Sequence, residues 1–203
     1  MKSLLVLALL AGAAAADPVE LTGSSPTPTD ACRAWVAEAC AAVDGARCTC
    51  RVLDTIAAPR AGVLMLDTVS ATWRGRSYAL AVWQDGSWQR SANAIDVDRM
   101  GVLLASNCCD SHAGAPWFQL RAVDGRAILH VGQDVWRTGK RGGGWTYFED
   151  PHAIWSDLLV CTGAGCDRVP VAHCLRPAHP TYTLSGARIE TGCTGATLQS
   201  YAL

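Results

Sequence analysis

Ten cysteines in a chain of 203 residues constrain the possible folds more than any other feature. The amino terminus has the three parts of an export signal: Lys2, an apolar run over residues 4–10, and small residues that end at Ala16. Exported proteins fold in oxidising compartments, where an even set of cysteines forms disulfides. We therefore predict a secreted or periplasmic protein in which the disulfides form among Cys32, Cys40, Cys48, Cys50, Cys108, Cys109, Cys161, Cys166, Cys174 and Cys193.

Composition divides the chain into three parts. Residues 1–16 are predicted to be a signal peptide cleaved after Ala16, and residues 17–29, rich in Pro, Ser and Thr, a flexible leader. Residues 30–203 are predicted to form a single, mostly β domain with a possible subdivision near residues 137–144. No later window is long and apolar enough to span a membrane, so we expect no membrane span once the signal is removed.

The charge balance argues against nucleic acid as a partner. Basic residues number 17 and acidic residues 18, and the densest basic cluster is Lys140–Arg141. A phosphate backbone is bound by a clustered positive face, which this sequence does not supply. We expect an unknown protein or glycan ligand instead, and the oligomeric state stays open. The excess of Arg over Lys, 15 against 2, indicates a GC-rich genome, and we expect a bacterial source.

One amphipathic helix is predicted to begin at Asp30, whose carboxylate can cap the first amides. Cys32 and Cys40 recur at helical spacing on its apolar face, and Cys48 and Cys50 alternate as on a following strand. Eight residues of helix separate Cys32 from Cys40 by about 12 Å, too far for a disulfide. Each should therefore bond to Cys48 or Cys50, in either order.

Short strands separated by turn residues fill the rest of the chain. The turns are predicted at four dipeptides: Arg74–Gly75, Asp85–Gly86, Asp124–Gly125 and Ser185–Gly186. Asp-Gly between β-rich segments is typical of a type I′ hairpin turn, which needs positive φ at both central residues. A series of strands without intervening helices predicts a mainly β protein. It should be an antiparallel sandwich or barrel-like sheet with one N-terminal α-helix.

Eight tryptophans supply much of the expected core. Three of them are also candidates for an exposed aromatic binding surface for glycans or peptides. Trp83 and Trp88 flank the turn at Asp85–Gly86, and Trp145 follows the glycine-rich residues 142–144.

The segment Ala-His-Cys around His173 resembles the histidine segment of chymotrypsin-like serine proteases. That mechanism also needs an orienting aspartate and a serine nucleophile. After His173 the chain contains one acidic residue, Glu190, and no Gly-Asp-Ser-Gly. His173 is therefore not assigned as a general base, and we expect a disulfide between Cys174 and Cys193 to explain the segment.

Two further cysteine pairs have spacings that matter for their chemistry. Cys161 and Cys166 enclose a glycine-rich tip and are predicted to bond to each other. The adjacent Cys108 and Cys109 could form a vicinal disulfide, two separate cross-links, or a metal site with His112. Zinc sites use four ligands, commonly in paired Cys-x2-Cys modules, which are absent here. We predict no metal, no cofactor and no catalytic residue.

The sequence favours an exported, non-enzymatic binding or structural protein of unknown ligand. The segment Ser-Gly-Ala-Arg at residues 185–188 is similar to one in the small β-barrel lysozyme inhibitors of bacterial periplasms. An inhibitor of an extracellular hydrolase is thus one alternative, and it predicts a rigid projecting loop at residues 161–166. A secreted hydrolase is the other alternative, and it predicts a cleft in which a histidine and a carboxylate converge.

Overall fold

The computed structural model describes residues 14–71, 74–92, 94–97, 111–141, 144–147, 153–163 and 165–203. Most of these residues lie in β-strands, and the described part contains one α-helix. The strands form three sheets that are antiparallel apart from the pairing of the first strand with the last, and none of the sheets closes into a barrel. The predicted mainly β, antiparallel class with one N-terminal helix is confirmed.

The helix, α1, spans Pro28–Ala41. Three strands precede the helix: β1 (Ala14–Ala15), β2 (Asp17–Val19) and β3 (Leu21–Ser25). The strands after it, up to residue 96, are β4 (Arg47–Ala57), β5 (Arg60–Val69), β6 (Arg74–Gln84), β7 (Ser87–Ser91) and β8 (Ile95–Asp96). The later strands are β9 (Ser111–Val123), β10 (Arg126–Arg141), β11 (Gly144–Tyr147), β12 (Ala153–Thr162), β13 (Gly165–Leu175), β14 (Pro180–Ser185), β15 (Arg188–Cys193) and β16 (Ala196–Ala202).

The three sheets are stacked, with α1 on one outside face. The helix-side sheet has the order β3-β7-β6-β5-β4, with β8 paired to β6. The central sheet has the order β11-β10-β12-β13-β2, with β9 paired to β10. The outer sheet has the order β1-β16-β15-β14. One apolar core joins the helix-side and central sheets, a second joins the central and outer sheets, and a third joins α1 to the helix-side sheet.

Strands of the inner layers are apolar on both faces because both faces are covered. In β5, Val63 and Met65 face the central sheet, whereas Leu64 and Leu66 face α1. All four side chains are buried. A strand covered on both sides has a continuous apolar run rather than alternation, which explains the segment at residues 63–66.

The start of α1 differs from the prediction. Thr27 is the N-cap, and its hydroxyl oxygen accepts a hydrogen bond from the backbone N–H of Asp30. The carboxylate of Asp30 in turn accepts a bond from the Thr27 hydroxyl and one from Arg33. Asp30 therefore lies in the first turn, where its charge favours the helix dipole, and the helix begins at Pro28 rather than Asp30.

The two Asp-Gly turns are confirmed, and two other turn predictions are corrected. Asp85 and Gly86 have φ of 50° and 78°, and Asp124 and Gly125 have 48° and 73°, as a type I′ turn requires. Arg74–Gly75 is not a turn, because both residues belong to β6 and pair with Val69 and Thr68 of β5. The hairpin near Ser185 closes at Gly186–Ala187, since Ser185 still pairs with Arg188.

Four disulfides link eight of the cysteines. Cys32 bonds to Cys50, Cys40 to Cys48, Cys161 to Cys166, and Cys174 to Cys193, with Cα separations of 4.0 to 5.8 Å. These pairs agree with the prediction and fix the order that the sequence left open. Cys108 and Cys109 lie outside the described residues.

The segment predicted as a flexible leader contains two paired strands. In the structure, β2 pairs with β13 and β3 with β7, and the buried Val19 joins the core between the helix-side and central sheets. Ala14 and Ala15, just before the predicted cleavage point, pair in parallel with β16. Near the predicted subdivision, β10 continues to Arg141 and β11 pairs back onto it.

Candidate functional site

The central sheet extends one strand beyond the outer sheet, and a groove lies over the uncovered part. The outer sheet ends at β14, whereas the central sheet continues from β10 to its edge strand β9. The groove has a volume of about 600 Å³. We call it the β9–β14 groove, and its lining residues are Trp117, Gln119, Arg121, Val123, His130, His179, Pro180, Thr181, Tyr182, Thr183 and Leu184.

His130 lies at the bottom of the groove between two aromatic rings. Its ring centroid is 4.9 Å from that of Trp117 and 5.3 Å from that of Tyr182, with interplanar angles of 87° and 86°. The residue is only 5% exposed. It comes from β10, Trp117 comes from β9, and Tyr182 comes from β14, so the cluster joins two sheets.

Two polar atoms of this cluster are buried without a hydrogen-bond partner. They are Nε2 of His130 and the hydroxyl oxygen of Tyr182. An unpaired buried polar atom costs about 1 to 3 kcal/mol. Seven such side-chain atoms occur among the described residues, and these two are the ones that belong to residues lining the groove. Both residues line the groove, so a bound molecule that displaces the groups covering these two atoms can supply the missing partners.

His130 is uncharged at neutral pH. Burial, assisted by the positive charge of Arg121, lowers the pKa of its imidazole to about 4. Burial also raises the pKa of the Tyr182 hydroxyl. A neutral imidazole has one N–H donor and one nitrogen acceptor, and a phenol can donate or accept. The pair therefore offers hydrogen bonds of either polarity without fixed charge.

One lining residue of the groove, Arg121, carries a positive charge. Arg121 is exposed on β9, and no Asp, Glu or Lys occurs among the described residues that line the groove. A guanidinium with no carboxylate beside it in the groove favours a negatively charged ligand group.

The position of Trp117 depends on a glycine on the neighbouring strand. Gly132 pairs with Trp117 across the β9–β10 ladder. A Cβ at Gly132 would lie 2.2 Å from Cζ2 of the indole and 2.6 and 2.7 Å from the two ring atoms bonded to Cζ2. These distances place the face of the indole directly over the Gly132 backbone, so glycine is what lets the ring lie flat against the sheet.

The tryptophans predicted as a binding surface lie elsewhere. Trp83 and Trp88 form a cross-strand pair on the helix-side sheet, with centroids 5.9 Å apart. Trp88 is buried in the core beneath α1, and the Arg60 guanidinium lies 4.0 Å from the Trp83 ring centroid. Trp145 is in β11 of the central sheet, where it pairs with Lys140. Trp145 thus belongs to a different sheet from Trp83 and Trp88, and the role of the three in binding stays a prediction.

The other candidate segments are strands. Cys161 and Cys166 are directly paired neighbours in the β12–β13 hairpin, and both are buried. The ladder continues to Thr162 and Gly165, so the described hairpin has no long projecting loop. His173 belongs to β13, and His112 belongs to β9.

The described residues do not supply a cluster of metal ligands. No group of three or more His, Cys, Asp or Glu in these ranges could hold a metal ion. The most buried described carboxylate, Asp157, accepts hydrogen bonds from Arg168 on β13 and does not line the groove.

Sequence reasoning missed the groove, although one signal was present. In β10, Ile128, His130 and Gly132 alternate on the face toward the outer sheet, so the pattern places a histidine on a buried face. Its partners Trp117 and Tyr182 are distant in sequence and come together only when the sheets stack.

Comparison of the chain with protein-family models, curated proteins and solved structures gave no match. Among the described residues, no helix is long and apolar enough to cross a membrane.

Proposed function

We propose that this is an exported, non-catalytic binding protein whose ligand occupies the β9–β14 groove. The observation that carries the proposal is the pair of buried, unpartnered polar atoms on His130 and Tyr182. A protein selected only for stability gains nothing from such atoms, because replacing them with apolar groups would remove the desolvation cost. Hydrogen bonds from a ligand to both atoms would offset this desolvation cost.

The chemistry of the groove supports binding rather than hydrolysis. A general base is held by an orienting group and lies near a nucleophile. Within the described residues, no carboxylate lines the groove beside His130, and the eight described cysteines are in disulfides. Apolar rings with a few directed polar groups are instead typical of ligand pockets, which commonly have volumes of about 300 to 1,000 Å³.

The proposed compartment is outside the cytosol of a bacterium. Four disulfides are compatible with an oxidising environment. Inhibition of an extracellular hydrolase is a second candidate function, in which the protein bound by the groove is such an enzyme.

Replacement of Tyr182 by Phe tests the proposal, because it removes one unpartnered hydroxyl and leaves the ring. We expect Tyr182→Phe to leave the free energy of unfolding unchanged or to raise it by about 1 kcal/mol. The matched control is Tyr201→Phe, since the Tyr201 hydroxyl donates to Gln199 at 2.6 Å. The control should lower stability by about 1 kcal/mol, measured by urea denaturation.

Ligand binding is tested on the same proteins by NMR. Isotope-labelled protein is titrated with three pools: acidic heptapeptides, oligosaccharides of uronic acids, and small aromatic carboxylates. At least one pool should shift the indole N–H signal of Trp117, assigned with Trp117→Phe, and Tyr182→Phe should weaken that binding about tenfold. The proposal fails if no pool shifts Trp117, or if Tyr182→Phe costs as much stability as Tyr201→Phe.

A further inference from the structure

Among the described strands, none of the outer sheet lies above β9. Four alternate residues of β9, Trp117, Gln119, Arg121 and Val123, face the groove, while the intervening Phe118 and Leu120 pack into the core on the other side. Gln119 and Arg121 are exposed, and Trp117 and Val123 are half-buried. Packed sheets lie about 10 Å apart, and residues of both β9 and β14 line the groove, so a fifth strand beside β14 would lie over these four side chains.

The exposed edge of β14 carries free backbone groups. The carbonyl of His179 accepts a hydrogen bond from Thr194 N–H, which directs the backbone of His179 toward β15. Amide groups alternate in direction along a strand, so those of Thr181 and Thr183 also bond to β15, and those of Tyr182 and Leu184 point away from it. Among the described residues, β14 pairs with β15 alone.

This edge has few of the features that protect other edges. Natural edge strands carry charged residues or bulges that prevent pairing with another chain. The edge strand β4 contains Arg47 and Arg51, and its pairing with β5 has a register shift. The pairing of the edge strand β9 with β10 also has a register shift. By contrast, β14 contains no charged residue, and its ladder with β15 runs over six pairs without a shift. Only Pro180, at the strand's start, lacks an N–H group.

We propose that the groove binds an extended segment of another protein, which adds to β14 as a fifth strand of the outer sheet. This inference rests on the proposed function and specifies its ligand. Backbone hydrogen bonds to Tyr182 and Leu184 supply affinity, and alternate side chains of the segment enter the groove. Five residues of β14 and His179 just before them line the groove, so it follows the strand for about 20 Å.

Charge defines the segment further. Arg121 is the only Arg, Lys, Asp or Glu among the described lining residues, and His130 is uncharged at neutral pH. A side chain of the added strand that reaches Arg121 is therefore acidic. Side-chain or backbone groups that reach the bottom of the groove provide partners for His130 Nε2 and the Tyr182 hydroxyl.

Amide hydrogen exchange tests strand addition directly. The probe is a heptapeptide selected on the full-length protein from a phage-displayed random library and then synthesised. In the free protein, the amides of Tyr182 and Leu184 should exchange rapidly and those of Thr181 and Thr183 slowly. On binding, the first two should become protected by at least about tenfold, while the second two serve as an internal control.

One variant with a matched control tests the charge, and methylated peptides test the backbone contacts. Arg121→Glu should weaken binding of the selected peptide at least about tenfold and favour a counterpart in which Lys replaces its acidic residues. Arg47→Glu, at an exposed strand position far from the groove lining, should change affinity less than about twofold. Methylation of the peptide amides that face β14 should abolish protection, whereas methylation of the alternate amides should not.

The outcomes separate this inference from the proposed function. If a uronic-acid oligosaccharide shifts Trp117 while no selected peptide protects Tyr182 and Leu184, the protein binds in the groove but strand addition is wrong. If protection rises with protein concentration alone and light scattering gives a dimer, the occupant is a second copy and the inference is overturned. If no probe perturbs the groove, both fail.

Discussion

His130 shows how one side chain is maintained in an uncharged state by its surroundings. Ile128, two residues earlier in β10, faces the same apolar core, and the rings of Trp117 and Tyr182 flank the imidazole. Charging the imidazole there would place a cation in a site without a described acceptor and near Arg121. Protonation is therefore coupled to unfolding or to rearrangement of the groove.

The free energy of unfolding should fall in acid because of His130. Its pKa is lowered to about 4 in the folded protein, against about 6.5 in an unfolded chain. The unfolded chain binds the proton first as pH falls, so this stabilisation is complete above pH about 6.5 and is lost progressively toward pH about 4. The loss amounts to about 3 kcal/mol, measured by urea denaturation at pH values across that window.

His130→Gln is the variant that isolates this contribution. The pKa of Asp157 is raised by burial and acts in the opposite direction, so the informative quantity is the difference between wild type and variant. The variant should lose most of the wild-type decrease, whereas His179→Gln, at an exposed position, should keep it. An equal acid-induced decrease in wild type and His130→Gln would show that His130 does not control it.

Single residues were predictable where the cause was local. Asp124–Gly125 specifies a turn through its own backbone preferences, and the structure has that turn. His130 could be placed on a strand but not paired with Tyr182, because that contact depends on how two sheets stack. Arg74–Gly75 was misjudged because glycine permits a turn without requiring one, and here the β5–β6 ladder extends through it.

At the scale of elements, two disulfides attach α1 to β4. Cys32 bonds to Cys50 and Cys40 to Cys48, so bonds near both ends of the helix fix it against the strand. Trp35, between the two cysteines of the helix, is buried against the helix-side sheet. The Arg90 guanidinium carbon lies 4.9 Å from the Trp35 ring centroid, and Arg90 Nη2 lies 2.8 Å from Glu38 Oε2. The sequence predicted this attachment because helical and strand periodicities placed all four cysteines on facing surfaces. It could not give the order, which depends on the direction of the helix across the sheet.

Removal of both pairs should loosen the helix while the strands below it stay folded. Closing loops of 18 and 8 residues contributes about 3 and about 2 kcal/mol in the chain-entropy estimate. In the variant with all four of these cysteines changed to Ala, hydrogen exchange of the α1 amides should accelerate much more than that of the β5 and β6 amides. Cys161→Ala with Cys166→Ala is the control and should leave α1 protected. Unchanged exchange in α1 would mean that packing of Trp35 alone holds the helix.

At the scale of the whole molecule, the three sheets differ in how firmly they are joined. Of the described residues, sixteen are buried in the core between the helix-side and central sheets, and eight in the core between the central and outer sheets. The smaller core is supplemented by the Cys174–Cys193 disulfide, which links β13 of the central sheet to β15 of the outer sheet. The outer sheet, which forms one wall of the β9–β14 groove, is thus the layer that depends most on a covalent bond.

Replacement of Cys174 and Cys193 by Ala should therefore produce partial opening confined to the outer sheet. We expect a loss of about 3 kcal/mol for a separation of 19 residues. Hydrogen exchange should accelerate in β14, β15 and β16 and stay unchanged in β5, β6 and the buried part of β12, because the larger core is not affected.

The same variant should bind groove ligands more weakly, since β14 and Tyr182 no longer keep a fixed position over His130. The Cys161→Ala, Cys166→Ala variant removes a bond within the central sheet. It should neither accelerate exchange in β14, β15 and β16 nor weaken ligand binding. Uniform acceleration across all three sheets would contradict this account and make the molecule a single cooperative unit.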